Sequence, residues 1–349
     1  MKQVAIYAPA TIANVGPGYD IFGLALNSPG DIVVARLTDA YKGVRLTQII
    51  GNDKLPKGPT NVVQAVGQKI LEYSGQNVGI ELILYKNMKI GTGMGSSASS
   101  SVAAAVAVNE ILGSPFKRSD QRMLDAVVHG EAIATKGSGH PDNVLPSLLG
   151  GFQFIYDGKN YAHTRFEGGK NLYFVVVSPD IVVETGPARE ALKKAPYHLD
   201  GVVQTSQEVI THYLSTGKID IDSRDLGKLV KKNGSEQIVH DYLLGGIEVV
   251  SGIRDEDLKR LERGVMMDGI VTPVRADFID HYYDVRDAIF AAGAKCFSIS
   301  GSGPSVFSVT DNEEEAHILG DAGRQKFEDN KIKAQVHVSQ INNQGAREV

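Results

Sequence analysis

The sequence predicts an α+β protein of two domains, and three observations carry that reading. The chain has 349 residues, which at about 150 residues per domain makes two units, each long enough to bury its own core. Strand-like stretches are followed by helical patterns in both halves, which suggests two α+β layers rather than a repeat array. Residues 157–171 (DGKNYAHTRFEGGKN) are crowded with glycine, aspartate, asparagine and lysine. The seam is placed there, and the domains are read as residues 1–160 and 161–349.

The strands are read at Val4–Tyr7, Ile32–Ala35, Ile80–Leu84, Leu172–Val177, Cys296–Ile299 and Val306–Val309, most of them rich in β-branched and aromatic residues. The clearest helices are read at Asn61–Tyr73, Ser97–Leu112, Val202–Leu214, Asp284–Ala292 and Glu313–Phe327. The last opens on an acidic first turn that suits the helix dipole.

Composition narrows the function classes. The single cysteine, Cys296, excludes a disulfide within the chain and a thiolate metal cluster, which fits a reducing cytoplasm, and it reads as inert core. No window reaches the roughly 20 apolar residues of a membrane span. A net charge of -5, from 41 acidic and 36 basic residues, leaves no dense basic tract for nucleic acid. The expected partner is a small molecule, with neither nucleic acid nor membrane.

The most informative stretch is GTGMGSSASS at residues 91–100, at the mouth of a helix. Gly91, Gly93 and Gly95 let backbone N–H groups turn toward one point, and the helix adds its positive end, so the segment reads as an anion cradle. Ser96, Ser97, Ser99 and Ser100 supply hydroxyls, and a hydroxyl beside a phosphate is a natural ligand for the Mg2+ that accompanies ATP. A glycine-rich connection that binds nothing is the bland alternative. A Walker A loop is excluded, because each Gly-Lys pair is followed by Asn160, Asn171, Ile219 or Leu229 rather than by Ser or Thr. Gly93, Gly95 and Ala98 meet the G-x-G-x-x-A spacing of dinucleotide binders, but SPFKRSDQR does not read as the strand that should carry the acid further on.

Two more glycine-rich segments stand near the ends, PATIANVGPGYDIFGLAL (9–26) and SISGSGPSVFSV (298–309). With KNMKIGTGMGSSAS (86–99) and HGEAIATKGSGHPDNV (129–144) they resemble the GHMP kinases over nearly the whole chain, and among these the homoserine kinases. Lys89, Met94 and Tyr19 depart from the family's usual Pro, Leu and Phe, and none of these changes removes a ligand.

The resemblance implies the two-domain GHMP kinase fold, with an N-terminal domain like the second domain of ribosomal protein S5 and a C-terminal ferredoxin-like α/β sandwich. It implies ATP and L-homoserine as substrates, Mg2+ as cofactor, and admits a homodimer. The loop Lys89, Ile90, Gly91, Thr92, Gly93, Met94, Gly95, Ser96, Ser97, Ala98 and Ser99 would wrap the ATP phosphates. Ser97 and Glu131 would hold Mg2+, and Asn61 matches a position near the adenine, though it equally suits a helix N-cap. The acceptor's carboxylate would meet the guanidinium forks of Arg189 and Arg275, and its ammonium would meet Asp20. Asn14, His140, Asp142, Asn143 and Thr185 would complete the polar shell; of all these, Asn14, Asp20, Asp142, Asn143 and Arg189 are the catalytic candidates. His140 and Asp142 are read as positioning residues rather than bases, since a loose phosphoryl transition state gives a base little to do early. The alternatives are a relative acting on mevalonate, shikimate or a sugar, or a nucleotide binder without turnover.

Overall fold

Apolar residues at every second position make the N-terminal segment a strand, with Val4, Ile6 and Ala8 buried in one core and, past a register shift after Pro9, Ala10 and Ile12 buried in another. In this computed structural model, which describes residues 2–52, 54–135, 139–183 and 185–349 and only the backbone at 134, 135 and 185, that strand is β1 (Gln3–Ala13). It is followed by β2 (Phe22–Thr38), β3 (Gly43–Ile50), α1 (Val62–Ser74), β4 (Gly79–Tyr85), α2 (Ser96–Ile111), α3 (Gln121–Thr135), α4 (Pro141–Leu149), β5 (Phe152–Asp157) and β6 (Ala162–Phe166). The second half runs β7 (Tyr173–Pro179), α5 (Thr185–Lys194), α6 (Leu199–Thr216), α7 (Glu236–Arg254), α8 (Leu258–Val265), α9 (Thr272–Ala276), α10 (Tyr282–Ala291), β8 (Ser298–Ile299), β9 (Val306–Thr310), α11 (Glu313–Asp329), β10 (Ala334–Ser339) and β11 (Arg347–Glu348).

The first sheet has the order β11-β1-β2-β4-β3, with β5 pairing the start of β2 and β6 pairing β5. All its pairings are antiparallel except β3 with β4. The second sheet is antiparallel, in the order β10-β7-β9-β8. Helix α2 lies under the first sheet among α1, α3 and α4. Its small residues, from Ala98 through Val108, are buried on every side, the signature of a helix interior to a fold. No helix among the described residues is long and apolar enough to cross a membrane.

Two features differ from the sequence reading. The polar cluster near residue 160 is a hairpin turn rather than a linker: the Asp157 side chain accepts from the N–H groups of Lys159 and Asn160, and β6 continues the first sheet to Phe166. The chain passes to the second sheet between Phe166 and Tyr173, and its last strand returns to β1 with Tyr7 opposite Arg347. A boundary at 160/161 therefore cuts a hairpin.

The halves also do not keep separate cores. Besides one core in each half, a third joins Phe22 and Phe152 of the first sheet to Val209 of α6, Ile247 of α7, and Phe174 and Phe307 of the second sheet. Helix α7 was not legible from periodicity because glycine weakens helix propensity. Its Gly252 is needed, since a Cβ there would lie 2.5 Å from the Leu261 backbone nitrogen of α8. Cys296 is fully buried, and burial pushes its thiol up to about 12, so it is inert core as read.

The shared core makes a thermodynamic prediction. Phe22 is fully buried, with ring centroids 5.1 Å from Phe152 and 5.8 Å from Phe154. Phe22→Ala is expected to cost about 3–5 kcal/mol. Calorimetry should show both halves of the parent unfolding in one transition, and the variant moving that transition down without splitting it.

Candidate active site

The chain leaves β4 at Tyr85 and enters α2 at Ser96 through a loop whose glycines all take left-handed backbone, with φ of 74° at Gly91, 77° at Gly93 and 64° at Gly95. Their reasons differ. A Cβ on Gly93 would lie 2.4 Å from the Ser300 carbonyl oxygen, and one on Gly95 would lie 2.1 Å from the Thr11 hydroxyl. A Cβ on Gly91 would meet only Val182, in ordinary contact at 3.7 Å, so Gly91 needs glycine for its backbone angle alone. The N-terminus of α2, with the buried Ser96 hydroxyl lacking a hydrogen-bond partner among the described residues, faces the resulting cradle.

Beneath the loop is a cation that sequence reasoning missed. Lys86, 5 % exposed, donates from Nζ to the Asp31 carboxylate, to the Ser96 carbonyl at 2.8 Å and to the Ser100 hydroxyl at 2.9 Å. Asp31 also accepts from the backbone N–H groups of Asn87 and Met88. Burial draws the Lys86 ammonium down from its ordinary range, and the Asp31 charge opposes that. The available signal is a lone lysine at the end of an apolar strand, three residues before Lys89.

A cleft of about 480 Å³ opens above the cradle, lined by Asn14, Asp20, Glu131, His140, Asn143, Arg189 and Arg275 together with Ile90, Gly91, Thr92, Gly93, Gly95, Ser96, Ser97, Gly301 and Ser302. A second cavity of about 240 Å³ shares Ile90, Ser96 and Ser97 with it and is walled by Leu55, Pro56, Val62, Leu84 and Ile133. That cavity is apolar enough for a flat heterocycle. Asn61 lies on its wall, but its side chain is the N-cap of α1: it accepts from Val63 N–H at 2.9 Å and donates to the Pro56 carbonyl at 2.8 Å.

Not every loop residue presents its side chain to the cleft. Met94 and Ala98 are core. The Ser99 hydroxyl is spent under the sheet, donating to the Ala8 carbonyl and accepting from Asp31 N–H. Lys89 turns outward to Asp180, at 3.2 Å.

The buried Glu131 carboxylate hydrogen-bonds the Ser97 side chain; burial pushes the carboxyl up, while His140, Ser97 and Lys86 pull it down. Burial pushes the His140 imidazole down, and the Glu131 charge opposes that. One buried carboxylate and one hydroxyl at the helix mouth suit Mg2+, a hard cation that takes one or two carboxylates and completes its shell with phosphate oxygens and water.

The far end of the cleft is polar and of mixed charge. Asn14 and Asp20 hold left-handed backbone, with φ of 56° and 59°, and the Asn14 side-chain oxygen accepts from Asp20 N–H at 2.8 Å. Asp20 pairs with Arg189 at 3.5 Å, both partly exposed. Arg275 is buried, stacks 4.9 Å over the Tyr19 ring and donates to the Gly301 carbonyl. Asn143 accepts from the Thr11 hydroxyl at 2.7 Å. The side chain of Thr185 lies outside the described residues. Asp142 does not line the cleft; it sits behind the wall, where its backbone oxygen would be 1.8 Å from a Cβ on Gly23.

Burial, reinforced by the Asp20 charge, pushes the Asp142 carboxyl up to about 7. Between the unfolded value of about 3.9 and this folded value, the native state holds a proton that the unfolded chain has lost. Asp142 therefore makes stability fall as pH rises from about 4 to about 7. Asp142→Asn should flatten that part of the profile, read as the difference in unfolding free energy between pH 5 and pH 7.5 for parent and variant; equal slopes in both would show that Asp142 does not titrate there.

The GHMP kinases N terminal domain family matches residues 61–151 and the GHMP kinases C terminal family matches residues 249–329. The chain is 33% identical to the homoserine kinase of Chlorobium phaeobacteroides strain BS1, covering 99% of both chains. It is 30% identical to that of Pyrococcus abyssi, covering 96% of both. The crystal structure of homoserine kinase from Cytophaga hutchinsonii superposes with a TM-score of 0.83 at 33% identity, over 100% of this chain and 98% of that one. A Lactococcus lactis galactokinase complexed with galactose, at 15% identity and a TM-score of 0.67, shares the fold. Matched from end to end in sequence and in structure, the chain belongs to the homoserine kinase family of the GHMP kinases.

Proposed function

We propose that the protein transfers the γ-phosphoryl group of ATP to the side-chain hydroxyl of L-homoserine, forming O-phospho-L-homoserine on the route to threonine. The observation that carries this reading is the polarity of the cleft: an anion cradle at one end, and a carboxylate with two guanidinium groups at the other. A neutral sugar has no use for that charged end.

In this reading the purine occupies the apolar cavity beside Pro56 and Ile133, and the triphosphate runs along the Gly91–Ser97 backbone toward Glu131. Ser97 and Glu131 would hold Mg2+, which would neutralise charge on the phosphates. The acceptor opens the loose Asp20–Arg189 pair, its carboxylate meeting Arg189 and Arg275 and its ammonium meeting Asp20, so both charges are exchanged for better-matched partners. Asn14 and Asn143 are held by Asp20 N–H and the Thr11 hydroxyl, and so keep fixed orientations beside the acceptor. Asp142 acts through the wall by setting the field around Asp20 and the two arginines. Positioning and charge neutralisation supply the rate enhancement, and no side chain is assigned as base. The lone buried Cys296 suits a cytoplasmic setting.

The reading is tested by ADP release with L-homoserine, mevalonate, shikimate and galactose; turnover should be confined to homoserine, and a preference for any other alcohol overturns it. Glu131→Gln keeps the shape but removes a charge, so kcat should fall on the order of 100-fold with little change in KM for homoserine. Wild-type kcat at ordinary magnesium would remove Glu131 from the metal site.

Arg189→Lys replaces a planar fork by a point charge. Losing one charged hydrogen bond is worth about 1.5–3 kcal/mol, a roughly 10-fold to 100-fold fall in kcat/KM for homoserine. An amino alcohol lacking the carboxylate should be handled no worse by the variant than by the parent. Equal losses on both acceptors would place Arg189 outside carboxylate recognition.

A further inference from the structure

The turn Ser300–Gly303 touches both ends of the cleft. Toward the nucleotide side, the Ser300 hydroxyl donates to the Gly93 carbonyl at 2.7 Å, and Ser305 N–H donates to the Thr92 carbonyl at 3.1 Å. Toward the acceptor side, the Gly301 carbonyl accepts from Arg275. Two successive residues are thus gripped, Ser300 by the phosphate loop through its side chain and Gly301 by the acceptor arginine through its carbonyl.

The contact is tight enough to transmit displacement. A Cβ on Gly93 would lie 2.7 Å from the Gly303 carbonyl oxygen, and one on Gly301 would lie 3.0 Å from the Gly93 oxygen, so the two backbones already touch. Gly91, Gly93, Gly301 and Gly303 all have positive φ and no side chain to restrain them, so both segments are ordered by the cross-bonds together with their bonds to β1, Thr11 N–H to the Met94 carbonyl and Gly301 N–H to the Ala13 carbonyl. The buried Nε of Arg275 has no hydrogen-bond partner among the described residues. Arg275 also lines the cleft, so its guanidinium can meet a carboxylate there while keeping its grip on Gly301.

We propose that Ser300 is a positioning residue that couples the two substrates. A carboxylate on Arg275 fixes the guanidinium, the guanidinium fixes Gly301, and Ser300 passes that order to Gly93, so that the phosphate loop meets ATP with less freedom to lose. By linkage the effect is reciprocal: nucleotide tightens acceptor binding by the same factor. This rests on the reading of Arg275 as a ligand of the homoserine carboxylate.

The test measures the Kd of a non-hydrolysable ATP analogue with Mg2+, with and without saturating L-homoserine, for the parent, Ser300→Ala and Ser305→Ala. Ser305 lies in the same segment, equally buried, and its hydroxyl has no hydrogen-bond partner among the described residues, so it controls for the loss of one oxygen. Parent and Ser305→Ala should bind the analogue about 5-fold or more tightly in the presence of homoserine, and Ser300→Ala should keep no more than about a 2-fold difference. Hydrogen exchange gives a second readout: homoserine alone should protect amides of residues 89–97 in the parent and not in Ser300→Ala.

A parent without coupling, or a Ser300→Ala protein that keeps the parent's coupling, overturns the inference. If Ser300→Ala does not fold, the parent decides it, since residues 89–97 left unprotected by homoserine overturn it as well. A parent that phosphorylates homoserine without coupling overturns this inference alone, whereas a parent that does not phosphorylate homoserine overturns the assigned function.

Discussion

The Lys86 ammonium, buried against the Asp31 carboxylate, is the contact on which the nucleotide end of the molecule depends. An ion pair taken out of water is tolerable only when its remaining hydrogen-bonding capacity is filled, and here the filling is done by the elements that form the site. Lys86 bonds the Ser96 carbonyl and the Ser100 hydroxyl of α2, while Asp31 receives the N–H groups of Asn87 and Met88 at the start of the loop. The Ser100 hydroxyl also donates to Asp31. One pair of charges therefore fixes the end of β4, the entry to the loop and the first turn of α2 relative to β2. Removing one partner of such a pair typically costs about 3–5 kcal/mol, because the other is left charged and buried.

The opposite rim of the loop is set by backbone contact rather than by charge. Thr11 N–H donates to the Met94 carbonyl, Ser305 N–H to the Thr92 carbonyl and the Ser300 hydroxyl to the Gly93 carbonyl, so carbonyls of three successive residues are held by segments from the two ends of the chain. That arrangement requires the halves to be rigidly joined. The shared core of Phe22, Phe152, Phe174 and Phe307 meets the requirement, and the return of β11 to β1 closes the chain on itself.

The acceptor end follows a different logic. Its charges are not sealed: the Asp20–Arg189 pair is loose and partly exposed, and exposed pairs contribute little to stability. What the fold fixes firmly is the scaffold around them, including the left-handed turn from Asn14 to Asp20, the Arg275 stack on Tyr19 and the buried α4 start that carries Asp142 and Asn143. Exchangeable charges on a rigid frame suit a site that must release a product carrying the same ammonium and carboxylate as its substrate.

By itself the sequence determined the α+β class, the principal strands and helices, the anion cradle of glycines before α2, and, through the resemblance of its motifs, the family and most of the residues lining the cleft. These are local signals, since glycine spacing, helix periodicity and short motifs are written along the chain. Only the tertiary structure decided that Gly93 and Gly95 are glycines because Ser300 and Thr11 come close, that Asn61 is a helix cap, that Ser99 faces the sheet and Lys89 faces Asp180, and that Asp142 stands behind the wall. It alone brought Lys86 against the start of α2 and the turn at Ser300 against the glycine loop, and it alone showed that the polar run near residue 160 is a hairpin turn. The physical reason is common to all of these: each depends on which atoms from distant parts of the chain lie within a hydrogen bond or a van der Waals radius, and residue type at one position does not encode that distance.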